Sequence, residues 1–194
     1  MGSILVAVIG VILAGGAGRR LGGRRGKPAA ELAGRPLVAW PLAVVAEVCD
    51  SVAVVCKAGS KLPELDGVER WHEPDEPRHP RTGIVHALER AGGPVLVCAA
   101  DMPFVTADAC RSLLTAAGSG GSFAAVAVAG GVLQPVLGVY APAALDVLKE
   151  ADEDAPLTAT VEALDPARVA LPPAIVRSVN TPEELAEAEA ELGG

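Results

Sequence analysis

Residues 13–23, Leu-Ala-Gly-Gly-Ala-Gly-Arg-Arg-Leu-Gly-Gly, followed closely by Lys27, combine five glycines with fixed positive charge at the exit of an apolar run. Glycine lets backbone N–H groups approach a ligand with no Cβ in the way, and a turn of such groups forms an anion-binding concavity. Arg19, Arg20, Arg24, Arg25 and Lys27 add the countercharge that a triphosphate requires. A glycine-rich turn with solvated arginines is the plainer alternative. The second candidate is Asp101, which follows the continuous apolar run 95–99 and precedes Met102-Pro103. No other carboxylate lies between Glu89 and Asp108. A carboxylate at the carboxyl end of a buried strand sits where open α/β sheets bind ligands. A turn or helix-capping aspartate is the alternative there.

Two common phosphate loops do not fit. A Walker A loop counted back from Gly26-Lys27 puts Leu21 at its first glycine and Pro28 at the metal-binding hydroxyl. A dinucleotide fingerprint starting at Gly16 and Gly18 meets Leu21 at its third glycine, with Gly22 one place late. A dehydrogenase would therefore have to tolerate that shift, and tight NAD binding would be its sign.

The elements that must position these groups follow from hydrophobic pattern. Residues 4–13 are rich in Val and Ile and predict a strand buried on both faces. Residues 37–48 predict a buried helix with prolines near its start, 51–56 a second strand and 68–71 a short third one. The stretch 73–81 carries Pro74, Pro77 and Pro80 among mixed charges and reads as irregular, either a functional loop or a surface excursion. A helix from Thr82 or Gly83 to Ala91 then leads to the strand 95–99. Thr106 is placed to cap a helix over 107–117. Strands at 122–129 and 132–140 meet through Gly130-Gly131 as a hairpin, which makes the sheet mixed. Short helices at 142–150 and 157–164, an edge strand at 169–176 and a terminal helix after Thr181-Pro182 complete the chain. The expected fold is a single α/β domain over residues 1–194, Rossmann-like, with a mainly parallel mixed sheet and helices on both faces.

Composition narrows the function. Hydrophobic residues are 51% and charged residues 21%, a globular balance. The net charge of −8, with no basic stripe interleaved with aromatics, argues against a nucleic-acid partner. Basic residues are concentrated instead between Arg19 and Arg35, a local excess suited to a small polyanion. The four cysteines lack Cys-x-x-Cys spacing and read as reduced packing residues. His72, His79 and His86 recur at a fixed interval, but the intervening prolines keep them off any one helix face, so a zinc site is not expected. The run 4–14 is too short to span a bilayer and lacks a preceding basic segment, so the chain reads as cytoplasmic, with no membrane association.

The Leu-Ala-Gly-Gly, Arg, Gly-Gly, Lys order resembles the signature loop of nucleotidyltransferases of the molybdenum cofactor guanylyltransferase (MobA-like) type. The likeness continues through Glu31-Leu-Ala-Gly-Arg-Pro-Leu37, Cys98-Ala-Ala-Asp-Met-Pro-Phe104, Gln134-Pro-Val-Leu-Gly-Val-Tyr140 and Val179-Asn-Thr-Pro-Glu-Glu-Leu185. The resemblance implies transfer of GMP from GTP to the phosphate of molybdopterin, with Mg²⁺ as cofactor and release of pyrophosphate. It implies that Leu13, Ala14, Gly15, Gly16, Lys27, Glu73 and Asp101 bind the nucleotide, that Arg20 and Lys27 stabilise phosphates, that Asp101 holds the metal, and that Asn180 lies on the acceptor side. Transient contact with cofactor-biosynthesis or acceptor proteins follows from the same likeness. Lys27 comes one residue later than the family spacing, Cys56 stands where asparagine is frequent, and Pro80-Arg-Thr-Gly83 replaces Gly-Pro-Leu-Gly. A sister enzyme using CTP or GTP with a sugar phosphate, phospholactate or other phosphorylated small molecule stays open, as does a noncatalytic nucleotide-binding protein.

Overall fold

The computed structural model describes residues 7–16, 21, 26–119 and 121–192. Arg19, Arg20, Gly22, Gly23, Arg24 and Arg25 lie outside them, as do residues 4–6 of the expected strand 4–13, which is paired from Ile9 onward. Within them, β1 (Ile9–Leu13), β4 (Ser51–Lys57), β5 (Glu69–Glu73), β6 (Val95–Ala99), β7 (Ala124–Ala129), β8 (Val132–Tyr140) and β9 (Ala167–Ala170) form one sheet in the order β5-β4-β1-β6-β8-β7-β9. Only β8 runs against its neighbours, pairing antiparallel with β6 and β7. The mainly parallel mixed sheet is therefore as expected.

Alternation along the central strands explains the helices on both faces. Val11, Val55 and Val97 pack with Ile84, Ala87 and Leu88 of α2 (Pro80–Ala91), with Leu148 of α4 (Leu145–Glu150) and with Val161 of α5 (Leu157–Glu162). Their neighbours Ile12, Val54 and Cys98 face Leu42 and Val45 of α1 (Ala39–Val48) and Cys110 and Leu113 of α3 (Ala107–Ser119). Burying such a Val, Leu or Ile contributes roughly 1.5–3 kcal/mol each, so the two layers stabilise the sheet without cross-links. The four cysteines are free, and burial pushes the thiols of Cys49 and Cys110 up to about 12 and about 11.

Several boundaries differ from the sequence reading, each for a local reason. A two-residue hairpin, β2 (Glu31–Leu32) with β3 (Arg35–Pro36), precedes α1 and turns through Ala33 and Gly34, both at positive φ. The segment read as irregular from Glu73 is shorter, because Glu73 still pairs with Lys57 in the β4–β5 ladder. At its other end α2 starts at Pro80, earlier than Thr82, since proline suits the first helical turn and the His79 side chain caps it. The edge strand β9 ends before Pro172-Pro173 rather than spanning them. The expected Thr106 cap is present, with the Ala109 N–H donating to Thr106 Oγ1 at 3.3 Å. Gly130 and Gly131, both at positive φ, close the β7–β8 hairpin. No helix among the described residues is long and apolar enough to cross a membrane.

From β1 the chain moves outward to β4 and β5, and then returns through α2 to β6 on the other side of β1. Strand order thus reverses at β1, and the carboxyl ends of β1 and β6 flank the crevice where such sheets bind ligands.

Candidate active site

Four adjacent parallel strands end at one edge and deliver the site. β1 leads into Ala14, Gly15 and Gly16; β4 ends at Lys57; β5 ends at Glu73; β6 leads into Asp101. All line one cleft of about 790 Å³. The β1 exit is held by continuation of the ladder, because the Ala14 N–H donates to the Val55 carbonyl at 2.8 Å and the Ala100 N–H to the Leu13 carbonyl at 3.0 Å.

Gly15 has a steric reason to be glycine. A Cβ there would sit 2.0 Å from Glu73 Oε1, and one at Gly83 would lie 3.1 Å from Glu73 Oε2. The Glu73 carboxylate is therefore clamped between the glycine turn and the first turns of α2. Gly15→Ala is expected to lower unfolding free energy by about 1–3 kcal/mol through overpacking. Glu73→Asp, which withdraws the carboxylate by one methylene, should recover part of that loss. Denaturant titration of the two single variants and the double variant measures the coupling, and strictly additive losses would contradict the clamp.

Lys27, Asp101 and Asn180 meet although they are far apart in sequence. Lys27 opens a short 3-10 turn, Lys27–Ala29, which is tied to the start of α1 by the Val38 N–H donating to the Pro28 carbonyl at 3.1 Å. Its ammonium donates to Asp101 Oδ2 and, at 2.7 Å, to Asn180 Oδ1. Asn180 is positioned by its surroundings. The Val179 N–H donates to the Asp101 carbonyl at 2.8 Å, and the Asn180 N–H donates to Glu184 Oε2 at 2.6 Å. The Glu184 N–H donates in return to Thr181 Oγ1 at 3.2 Å, which makes Thr181 and Glu184 a capping box for α6 (Pro182–Leu192).

Lys57 and Glu73 form a second pair on the far side of the glycine turn. Lys57 Nζ lies 3.4 Å from Glu73 Oε1 and donates to the Pro74 carbonyl. Burial pushes the Glu73 carboxyl above its ordinary value, and the adjacent Lys57 opposes the shift. The cleft wall beside them is the start of α2, where the Arg81 N–H donates to His79 Nδ1 at 3.2 Å. That bond needs an unprotonated Nδ1, and burial followed by the Arg81 charge holds the His79 pKa below its usual value.

The structure thus brings Leu13, Ala14, Gly15, Gly16, Lys27, Glu73, Asp101 and Asn180 to one cleft. Arg20 lies outside the described residues. Lys57 was missed by sequence reasoning, although a lone charge closing an apolar strand is the same signal that marked Asp101. Among the described residues no group of three or more His, Cys, Asp or Glu could hold a metal ion. Any cation here must draw most of its ligands from substrate and water.

Residues 10–169 match the family described as MobA-like NTP transferase domain. The chain belongs to this nucleotidyltransferase family. The resemblance read from the glycine loop and the later segments is borne out. Among MobA-like relatives, a molybdenum cofactor guanylyltransferase of Cereibacter sphaeroides is 33% identical, with 95% of this chain and 97% of that protein aligned. The molybdopterin-guanine dinucleotide biosynthesis protein A of Archaeoglobus fulgidus superposes with a TM-score of 0.77 at 25% identity, covering 96% of this chain and 99% of that one. The 2-C-methyl-D-erythritol 4-phosphate cytidylyltransferase of Thermus thermophilus shares the fold at 22% identity, with a TM-score of 0.74 over 97% of this chain and 100% of that one.

Proposed function

We propose that this chain transfers GMP from GTP to the phosphate of molybdopterin, forming the guanine dinucleotide and releasing pyrophosphate. The observation that carries the reading is the likeness to a molybdenum cofactor guanylyltransferase over 95% of the chain. It is supported by the convergence of a glycine turn, a lysine and an aspartate at one sheet edge.

In the reaction an acceptor phosphate oxygen attacks the α-phosphorus, a bond to that oxygen forms, and the bond to the β-phosphate oxygen breaks. The acceptor is already largely ionised, because a phosphate monoester has a second pKa of about 6, so no strong base is needed. The chain has to align the two phosphates and neutralise their oxygens. Backbone groups from Leu13 to Gly16 cradle the nucleotide phosphates. Lys27 is a point charge beside them, and Arg20, which lies outside the described residues, would supply a second. Glu73 borders the nucleotide at the opposite end of the cleft, and Asn180 faces the acceptor.

Asp101 fits Mg²⁺. It is a hard oxygen donor at the cleft, its side chain is 23% exposed, and among the described residues no group of three or more His, Cys, Asp or Glu forms a protein cage there. Mg²⁺ commonly takes one or two carboxylates and completes its shell with phosphates and water. When bound, the ion supplies Lewis-acid neutralisation of the phosphate oxygens. Asp101 holds its place through the Lys27 contact and through its carbonyl, which accepts from Val179.

The test is pyrophosphate release from GTP, ATP and CTP with molybdopterin, with and without Mg²⁺, paired with calorimetric titration of each nucleotide. The expected result is release with GTP, dependent on Mg²⁺, and GTP binding about tenfold or more tighter than the others, a difference of about 1.4 kcal/mol. Preference for CTP would move the chain to a sister activity. Tight binding with no release for any acceptor would make it a nucleotide-binding protein without turnover.

A further inference from the structure

The cleft does not end at the glycine turn. If the triphosphate lies against β1 and β6, beside Lys27 and Asp101, the remaining length runs across the ends of β4 and β5. Neighbouring strands are about 4.8 Å apart, so Lys57 is one strand and Glu73 two strands beyond the glycine turn, on the side away from Asp101. On that placement the nucleoside lies over these two strand ends.

Lys57 and Glu73, which share this end with Arg78, are not equivalent. Glu73 has a side chain only 5% exposed, and its oxygens are held against Gly15, Gly83 and Lys57. It borders the cleft but is engaged on these three sides. Lys57 lines the same cleft with three N–H donors, of which one goes to the Pro74 carbonyl and one is directed by the Glu73 carboxylate. Among the described residues the third has no partner. An ammonium held on two sides and open on one is a fixed donor.

We infer that Lys57 reads the nucleobase by donating a hydrogen bond to a keto oxygen at purine position 6, and that Glu73 is the positioning residue that aims it. The inference rests on the guanylyltransferase reading above. The chemistry is one of matched polarity. Guanine carries an acceptor at position 6 and adenine carries an amino donor there. An ammonium can donate but cannot accept, so adenine would leave two donors facing each other with neither satisfied. A site built around a buried polar partner rejects the analogue that lacks the matching group far more strongly than an apolar pocket could.

Calorimetric titration of GTP, ITP and ATP with Mg²⁺, on the intact protein and on Lys57→Met and Lys57→Met/Glu73→Gln, tests this. ITP keeps the 6-keto oxygen and lacks the 2-amino group. The unmodified protein should bind ITP within a few-fold of GTP, and ATP much more weakly. Both variants should lose about 10- to 100-fold in affinity for GTP and ITP, the loss expected for a charge-assisted hydrogen bond, with a much smaller loss for ATP. The double variant replaces the carboxylate left buried by Lys57→Met with a neutral amide, and its melting temperature should return towards that of the unmodified protein. The proposal is overturned if either folded variant keeps the original preference, or if all three nucleotides weaken equally, which would mark a ribose contact or a structural role. It is overturned without any variant if ITP binds as weakly as ATP while GTP is preferred. If the unmodified protein shows no preference for GTP at all, the guanylyltransferase reading falls first.

Discussion

Asp101→Asn is expected to slow pyrophosphate release by roughly 10²- to 10³-fold, the loss typical of removing one preorganised electrostatic contact, while unfolding free energy changes by no more than about 1 kcal/mol. The asparagine keeps the shape of the side chain and an oxygen that can accept from Lys27, and the backbone carbonyl that accepts from Val179 is untouched. What disappears is the negative charge that a hard cation requires. The Mg²⁺ dependence of nucleotide binding should therefore flatten as well. A capping role predicts the reverse pattern, and the geometry already separates the two, since Thr106 rather than Asp101 accepts the N-terminal bond of α3. Melting temperature and pyrophosphate release measured on one preparation decide the matter. A destabilised variant with full turnover per folded molecule would sink the metal-ligand assignment.

Lys27→Ala should lower turnover by a comparable factor, roughly 10²- to 10³-fold, and weaken nucleotide affinity with it. The ammonium reaches both Asp101 and Asn180, so its removal deletes a positive charge from the point where two substrates must meet. Lys27→Arg should restore only part of the rate, because a planar guanidinium fork does not replace a compact point charge in a space only 15% open to solvent. Arg24 and Arg25 are the rivals for this role. Should Lys27→Ala release pyrophosphate at the normal rate while Arg25→Ala or Arg24→Ala suppresses it, the phosphate contact belongs to the arginines.

Sequence reading succeeded where one physical signal dominated. β4, β6 and β7 are near-continuous apolar runs, and such runs leave little choice but a strand buried on both faces. Asp101 stood out because it closed one of them. The β2–β3 hairpin did not, because two residues on each side show no period and its turn uses a positive φ at Ala33, an alanine. The end of β5 was hidden for another reason. Only Trp71 and Glu73 of that edge strand face inward, and the second is a carboxylate, so the pattern faded just where the chain was still paired. Lys57 escaped because its significance depends on Glu73 and Pro74, which reach it only through strand pairing. Lys27 stood out as a charge beside the glycine turn, whereas Asn180 entered only through family likeness, and nothing in their local spacing shows that they share a hydrogen bond.

That hydrogen bond joins residues 153 positions apart. Translation proceeds from the N-terminus, so the glycine turn and Lys27 emerge from the ribosome long before Asn180 and the capping box that orients it. A nascent chain that has made β1 through Asp101 has the glycine turn and the aspartate, yet Lys27 has only one of its two partners. Chains broken off anywhere in that interval would lack Asn180 and the capping box that orients it, so Lys27 would keep the contact to Asp101 alone.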